Sequence, residues 1–445
     1  MDNSLPALDF PAVGKREIVA KFDGGNVTSD AGLLLLAQAD KKLGLIQAMA
    51  GAIGDPRQPG KVRHSVDEII AERVFAIANG YEDANDLHTL KDDPALKVAC
   101  GRRPETEPAL ASQPTISRVE NMATTKDLLR MAIALAERVI ARLPLETKEV
   151  VLDVDATDDP CHGQQELEFF NGYYDHHCYV PLLVHLTGPD GQQRLLGSML
   201  RPGNASYKRG LFGMLRRAVR LLRVRLPDVK IVLRADAGFG YYDVLHFCER
   251  HGVDYVLGLK TNRRLAVLST PVQMEACSYF RSKGNDYRIF AEFAYKAGSW
   301  KNLQRVVVKS EITLGKLNTR FVVTNLTQFP AEIYQFYCAR GEQENRIKEL
   351  KLDLESGRTS CHRFFANQMR LLLHTAACML MSVLQEAASG TIYAKAQIGT
   401  FRLRVLKVAA RVVESCRRIR FHLSASYADQ ATWFHLNRRL AQATT

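Results

Sequence analysis

The chain has 445 residues, of which 46% are hydrophobic and 24% are charged, as in an ordinary globular protein. This length exceeds what one hydrophobic core supports, so we expect two or three domains. Nine cysteines, an odd number without a C-x-x-C pair, exclude a disulfide framework and favour a reducing compartment.

No segment of the sequence predicts export or a membrane span. The first ten residues contain neither the basic nor the apolar stretch of a signal peptide. The most apolar helical run, residues 371–384, is too short to cross a bilayer and contains His374, so we expect a buried helix there. These features favour a cytoplasmic protein with no membrane partner.

Positive charge is concentrated in the later two thirds of the chain. Residues 1–146 carry 18 Lys and Arg against 21 Asp and Glu, a net charge of −3. Residues 147–445 carry 42 against 27, a net charge of +15. We expect a polyanionic partner for this part, most simply nucleic acid, and an inert basic surface is the alternative.

Residues 1–146 are expected to form a mostly helical N-terminal domain that follows a short strand. Ser65 and Glu68 have the spacing of a capping box, at the start of a helix that ends at Gly80. Residues 113–118 (QPTISR) begin another helix with small polar side chains and an arginine, as recognition helices do. Binding of a DNA end and plain helix capping both stay open for this segment.

Residues 147–260 predict the first part of a mixed α/β catalytic core. A β-branched strand carrying Asp155 is followed by two more strands and a helix. A fourth strand that ends at Asp236, a second helix and a fifth strand come next. This order of elements is that of a ribonuclease-H-like sheet.

The first helix of this core carries a cationic face. Residues 201–227 contain eight Lys and Arg and no acid, whereas a solvated face usually carries both signs. We therefore expect this helix to face DNA phosphates, with a solvated face as the alternative. The residues of the face are Arg209, Arg216, Arg220 and Arg223.

The rest of the chain predicts three further regions. Residues 261–330 have the pattern of an all-β insertion, and residues 331–360 return to the core as a helix. Residues 361–445 are expected to be helical and basic. The predicted fold class is thus α/β: a ribonuclease-H-like domain with a mixed five-stranded sheet, a β insertion, a helical N-terminal domain and a helical basic C-terminal region.

One face of the helix predicted at residues 337–351 combines cations and a phenol with a single acid. Tyr337, Arg340, Glu344, Lys348 and Lys351 recur at steps of three and four, so one continuous helix places them in a stripe. A carboxylate framed by phosphate-binding side chains is what a metal-dependent enzyme acting on a polyanion needs.

Three acids are expected to meet in the folded core: Asp155, Asp236 and Glu344. Converging carboxylates repel one another unless cations lie between them, and oxygen ligands favour Mg²⁺ or Mn²⁺. Two such ions activate a water or a 3′-hydroxyl for attack at phosphorus. Asp153 lies on the same strand face as Asp155 and is the alternative first acid.

These residues resemble the DDE transposases of bacterial insertion sequences. Tyr337, Arg340, Glu344 and Lys351 match the Y-x2-R-x3-E-x6-K signature of one group, which has a β-rich insertion in its ribonuclease-H-like fold. The segments DVDATDDP and LRADAGF resemble the first two acidic motifs. Further segments, such as GYYDHHCYVPLLVH, resemble the insertion-sequence group numbered thirteen-eighty.

The resemblance implies roles for these residues. Asp155, Asp236 and Glu344 hold two metal ions, and Tyr337, Arg340 and Lys351 grip the DNA of the terminal inverted repeats, with Lys348 in support. Related enzymes nick the element end, form and reopen a hairpin, and join the end to target DNA, which implies a DNA-bound homodimer. Trp300 is a candidate wedge beside a flipped base, although packing is the favoured reading.

Two other functions stay open at this point. A metal-dependent nuclease on the same fold would cleave DNA without strand transfer. A catalytically silent descendant would bind DNA as a repressor. The complete signature and the three acids favour the active transposase over both.

Overall fold

The structure is a computed structural model that describes residues 7–442. Residues 443–445 and residues 1–6, which belong to the segment without signal-peptide features, lie outside the described residues. The chain divides into two compact units. The first comprises the chain up to Met131, Leu352–Arg358 and the chain from Leu372 onward. The second comprises Ala132–Lys351 and Thr359–Leu371.

Residues 7–442 form sixteen strands and fifteen α-helices. The strands are β1 (Leu8–Val13), β2 (Arg16–Ala20), β3 (Val27–Thr28), β4 (Glu149–Ala156), β5 (Asp159–Pro160), β6 (Phe169–Asn171), β7 (His176–Tyr179), β8 (Leu182–Thr187), β9 (Gln193–Met199), β10 (Lys230–Ala235), β11 (Asp254–Leu259), β12 (Tyr287–Tyr295), β13 (Gln304–Thr313), β14 (Lys316–Thr324), β15 (Ala410–Ser415) and β16 (Arg418–Leu423). The α-helices are α1 (Leu33–Leu43), α2 (Leu45–Gly51), α3 (Val66–Ala78), α4 (Leu87–Leu90), α5 (Pro94–Ala99), α6 (Gln113–Met122), α7 (Thr125–Ile140), α8 (Leu211–Arg225), α9 (Tyr242–Arg250), α10 (Arg263–Lys283), α11 (Pro330–Cys338), α12 (Gly341–Lys348), α13 (Phe364–Ala387), α14 (Ile398–Phe401) and α15 (Gln430–Ala441). No helix within residues 7–442 is long and apolar enough to cross a membrane.

The second unit is built on one eight-stranded mixed sheet, in the order β12-β13-β14-β11-β10-β4-β8-β9. Strand β10 is parallel to both β4 and β11, whereas β8 is antiparallel to β4 and β9 to β8. The five strands predicted for residues 147–260 are all present in this sheet. Short strands β5, β6 and β7 form a separate three-stranded sheet.

One face of α8 packs into the core. Leu211, Leu215, Val219 and Leu222 lie on that helix and are all at most 5% exposed. On the other side of the same pattern, Arg216 and Arg220 are exposed. Burial of this apolar stripe is the main contribution to the stability of such a surface helix. The arginine side of the helix stays in solvent.

The prediction of an all-β insertion at residues 261–330 is wrong. A 21-residue helix, α10, comes first, and β12, β13 and β14 then extend the main sheet through antiparallel pairing of β14 with β11. Asn262 caps the helix by accepting a hydrogen bond from Leu265 N at 3.0 Å, and Gly284 ends it in the left-handed conformation. These two caps favour a helix. Without β14, strand β11 would be an unpaired edge of the sheet, which explains why the strands join it there.

The first unit contains the helices of the N-terminal region and a three-stranded sheet, β16-β15-β3. The prediction of a helical C-terminal region therefore fails at residues 410–423, which form a hairpin. Alternation explains the difference, because buried Val412 and half-buried Phe421 share one face while exposed arginines occupy the other. The short strand predicted near the N-terminus is present as β2, and it pairs with β1 in a hairpin.

The predicted capping box at the start of α3 is half formed. Ser65 Oγ accepts a hydrogen bond from Glu68 N at 3.2 Å. The Glu68 carboxylate instead binds Arg102 at 2.7 Å and His64 at 2.6 Å. A stronger charged partner thus replaces the second half of the box.

Glu72, in the middle of α3, is a buried acid with an unusual pKa. One carboxylate oxygen accepts a hydrogen bond from Ala111 N at 3.1 Å, and the other has no hydrogen-bond partner among the described residues. Burial raises the pKa of Glu72 to about 8.

We predict that Glu72→Gln increases the free energy of unfolding at high pH. The folded-state pKa lies above the ordinary value of 4.5, so the folded state binds the proton more tightly and stability falls as pH rises from about 4.5 to about 8. Glutamine keeps the acceptor for Ala111 and cannot ionise. Urea unfolding across this range should show a gain for the variant that grows with pH, and a constant difference would contradict the assignment.

Candidate active site

Two carboxylates lie side by side at one edge of the large sheet. Strands β4 and β10 are parallel neighbours, and their register pairs Ala235 with Val154. The next residue on each side is an aspartate, Asp155 and Asp236. Parallel strands present their carboxyl ends at the same edge, where ligand sites of open sheets lie.

Asp155 is half-buried and bound to an arginine. Its side chain is 16% exposed, and Arg340 Nη1 donates to Asp155 Oδ2 at 2.8 Å. Burial raises the pKa of Asp155 to about 6, the charge of Arg340 opposes the rise, and the charge of Asp236 adds to it. A carboxylate between a cation and a second carboxylate has the electrostatic setting of a functional acid.

The same arginine also binds the third predicted acid. Arg340 Nη2 donates to Glu344 Oε1 at 2.9 Å, while the Glu344 side chain is 54% exposed. One guanidinium therefore links Asp155 with Glu344. Burial lowers the pKa of Arg340, but the surrounding charges, led by Asp155, outweigh it and raise the pKa above its ordinary value.

The prediction of one continuous helix over residues 337–351 is wrong. Helix α11 ends at Cys338, a turn follows, and α12 begins at Gly341 and runs into the π-helical segment Glu349–Asp353. The turn is tighter than an α-helix, because Arg340 N donates to Tyr337 O at 3.1 Å. Arg340 thus lies at the break between helices.

Tyr337 packs beneath the acidic edge of the sheet. It contacts the core cluster that includes Val256 and Tyr334. A side chain at Gly258 would place its Cβ 2.6 Å from the Tyr337 hydroxyl oxygen, so glycine is required there. Burial raises the pKa of Tyr337, and the charge of Asp236 acts in the same direction. The phenol is therefore neutral and lies near Asp236.

Asp153 occupies a different environment from Asp155. It is fully buried, and Arg234 grips both of its oxygens, with Nε at 2.6 Å and Nη2 at 2.9 Å. Gln193 donates a third hydrogen bond at 2.7 Å. Arg234 in turn donates to Phe336 O at 2.6 Å, just before Tyr337. All these contacts lie inside the sheet layer, so Asp153 is an interior anchor.

The predicted DNA-binding cations are distributed over several elements. Lys351 binds Asp158 at 2.7 Å, whereas Lys348 is exposed. Arg223 donates to the backbone carbonyls of His251 and Gly252, and this bond ties it to the protein surface. The remaining predicted cations, Arg209, Arg216 and Arg220, are exposed.

Trp300 is 6% exposed and packs edge-to-face on Tyr295, with ring centroids 5.3 Å apart. It also lines a cavity of about 130 Å³ that reaches Ala237, the residue after Asp236. Tyr241 lines the same cavity. In this structure Trp300 is a packed side chain at the wall of a small aromatic cavity beside the acidic edge.

The expected cluster of three metal-binding acids is not assembled in this structure. Among residues 7–442, no three His, Cys, Asp or Glu side chains are placed to hold a metal ion. The guanidinium of Arg340 lies between Asp155 and Glu344 and balances their charges. Asp155 and Asp236 are nevertheless hard oxygen donors at one sheet edge, which is the donor chemistry that Mg²⁺ prefers.

Sequence reasoning missed the partners of these acids. Arg234 stands two residues before Asp236, as Asp153 stands two residues before Asp155, and the pairing of β4 with β10 places Arg234 opposite Asp153. The matching spacing of the two motifs was a readable signal for this ion pair. The bond of Lys351 to Asp158 had no such signal, because Asp158 lies in the short connection between β4 and β5.

Comparison with known proteins gives one family match. A family model described as transposase DDE domain group 1 matches residues 10–445, nearly the whole chain. No curated protein matches the chain.

Proposed function

The chain belongs to the family of transposase DDE domain group 1, and on that premise we propose that it cuts the ends of a bacterial insertion sequence and joins them to target DNA. The observation that carries this proposal is the acidic edge, where Asp155 and Asp236 lie side by side and Arg340 links Asp155 to Glu344. We assign these three acids as the catalytic residues.

The topology of the second unit supports a ribonuclease-H-like core. Numbered by their order along the core, strands β9, β8, β4, β10 and β11 lie in the sheet as third, second, first, fourth and fifth. The second strand alone is antiparallel to its first-strand neighbour, while the fourth is parallel to both the first and the fifth. In this assignment, α10 and β12, β13 and β14 are the insertion, and α12 returns Glu344 to the core.

Two divalent ions, Mg²⁺ or Mn²⁺, fit the donor set of this edge. Asp155, Asp236 and Glu344 would hold them through carboxylate oxygens. Such ions would supply activation of the attacking water or 3′-hydroxyl and charge stabilisation of the leaving oxygen. The half-buried position of Asp155 reduces competition from water, and the burial of Tyr337 keeps its phenol neutral beside Asp236.

Asp153 is a poor candidate for the first catalytic acid. Both of its oxygens are taken by Arg234 and Gln193, and its side chain has no exposed surface. Asp155 lies two residues nearer to the sheet edge and has a partner, Arg340, that a DNA phosphate can compete for. We therefore assign the first acid to Asp155.

The DNA grip is assigned to cations around this edge. Arg340 holds two carboxylates in the free protein, and a DNA phosphate at the same place would compete for its five donors. Lys351, Lys348 and the exposed arginines of α8 would contact the backbone farther from the cut. The hairpin route, the paired terminal repeats and the DNA-bound homodimer belong to the same proposal.

We predict that Arg340→Ala weakens binding of the element end and flattens its salt dependence. Loss of one phosphate contact lowers the slope of log affinity against log salt by about 0.9. Asp155 and Glu344, left without their cation, would also repel the DNA phosphates, which weakens binding further. Filter binding across a salt series without divalent ions measures the slope.

Arg346→Ala is the matched control for this variant. Arg346 lies on α12 but binds Glu342 at 3.1 Å and Glu349 at 2.7 Å, away from Asp155. Its removal should leave the slope unchanged. An equal slope for wild type and Arg340→Ala would show that Arg340 does not contact a DNA phosphate.

Strand transfer separates the proposed function from its two rivals. A linear DNA carrying both element ends, a supercoiled target and Mg²⁺ should yield cut ends and joined products. Cutting without joining would identify a nuclease, and binding without cutting would identify a repressor. Inverted repeats that flank the gene would supply the end sequence for this assay.

A further inference from the structure

The sheet β16-β15-β3 of the first unit has two unlike faces. Val412 and Phe421 are paired across the hairpin, and Phe421 packs with Tyr427 and Trp433 against a small core. The register places the neighbouring residues of both strands on the opposite face. This hairpin is therefore anchored on one side and presents the other to solvent.

The outer side of the hairpin is a cationic face. The register pairs Arg411 with His422, Val413 with Arg420, and Ser415 with Arg418. Five residues of this side are exposed, and the turn adds an exposed arginine. The cationic face consists of four arginines, Arg411, Arg417, Arg418 and Arg420, with His422 beside them.

The charges of the cationic face are not neutralised within residues 7–442. None of its four arginine side chains has an ion pair or hydrogen bond there. The hairpin has one acid, Glu414, which lies on the opposite side. Its carboxylate accepts hydrogen bonds from the backbone of Glu105 and from Thr106, so it is fully engaged elsewhere.

We propose that the cationic face binds the phosphate backbone of duplex DNA, as a second contact surface apart from the acidic edge. This inference rests on the proposed function for the identity of the polyanion. Same-face residues of a strand are spaced by about 7 Å, and DNA carries a charge for about every 1.7 Å of its axis, so each cation finds a phosphate. Rigid anchoring of the hairpin lowers the entropy lost on binding.

The composition of this face favours nucleic acid over a membrane surface. Membrane-binding elements combine cations with large apolar side chains that enter the lipid. Val413 is the only apolar residue on this side of the hairpin, and it is half-buried. The arginines give phosphate contacts without base reading, so we expect binding that does not depend on sequence.

Salt-dependent binding tests the proposal. The triple variant Arg411→Ala, Arg418→Ala, Arg420→Ala should bind a short duplex of unrelated sequence at least about tenfold more weakly. Its slope of log affinity against log salt should fall by about 2 to 3, since each phosphate contact contributes about 0.9. Filter binding without divalent ions measures both quantities and requires no catalysis.

A variant of equal charge controls for net charge. Lys41→Ala, Lys42→Ala, Lys61→Ala removes three exposed cations from the same unit. This control should keep the wild-type slope, and both variants should melt as wild type does. Equal losses in the two variants, or no loss in the first, would overturn the proposal. Preference for RNA over DNA duplex would reassign the partner.

A cysteine at the hairpin turn gives an independent readout. Cys416 is exposed and lies next to Arg417. Bound DNA should slow alkylation of Cys416 by a maleimide several-fold in a Cys338→Ser background, which removes the other exposed thiol. Unchanged alkylation at saturating DNA would overturn the proposal. Neither readout depends on DNA cutting. This proposal and the proposed catalytic function can therefore fail independently of each other.

Discussion

Asp236→Ala is expected to lower DNA cutting in Mg²⁺ by at least about 10³-fold while the protein stays folded. Under the proposed function, loss of one metal-binding carboxylate would remove several kcal/mol of transition-state stabilisation, and each 1.36 kcal/mol is a factor of about ten. Stability should change little, because Asp236 is half-buried and lies after the strand rather than within the core. Gel analysis of a labelled end-containing duplex measures the cutting rate.

Asp228→Ala is the matched control. Asp228 is an exposed acid just before the start of β10, whereas Asp236 follows its end. Both variants lose one negative charge beside the same strand, but only one loses it at the acidic edge. If Asp236→Ala cuts as fast as wild type, the assignment of this edge as the catalytic site is wrong.

Asp153→Asn is expected to lower the free energy of unfolding by about 3–5 kcal/mol, because it leaves the buried Arg234 guanidinium without its counter-charge. The Arg234 side chain is 5% exposed and that of Asp153 is fully buried, so water cannot compensate. Asp155→Ala should cost less than about 1 kcal/mol, since its pair is partly solvated and Arg340 keeps Glu344. Urea unfolding compares the two variants.

The double variant Asp153→Leu, Arg234→Met tests the reason for the loss. Replacing both charges with apolar groups removes the unpaired cation, so more than half of the lost stability should return. Cutting should show the opposite ranking of the two aspartates, with Asp155→Ala inactive in its folded state. If Asp155→Ala were unfolded and Asp153→Asn stable, Asp155 would be the structural anchor and Asp153 the candidate catalytic acid.

The core of the second unit was readable because its segments have strong local patterns. The β-branched runs of β4 and β10 and the leucine stripe of α8 each have one favourable way to bury apolar surface. The insertion was misread because its opening segment has little apolar periodicity, and the caps at Asn262 and Gly284 determine its helix. The C-terminal hairpin could not be predicted, since a short basic segment with valines is compatible with either a helix or a strand.

The acidic edge shows what only the tertiary structure decided. The sequence alone determined which carboxylates to consider, together with the spacing of Tyr337, Arg340 and Glu344. Asp153 and Asp155 have the same parity on β4, so periodicity cannot separate them; depth along the sheet does, because the register sets Arg234 opposite Asp153.

Arg340 shows the same division most clearly. Its contact with Asp155 joins residues 185 positions apart in the chain. Spacing along a helix predicts neighbours three or four residues away, such as Glu344, and says nothing about a strand that arrives from another part of the fold. The sequence therefore determined the members of the candidate site, and the packing of α12 near the end of β4 decided which of them share a cation.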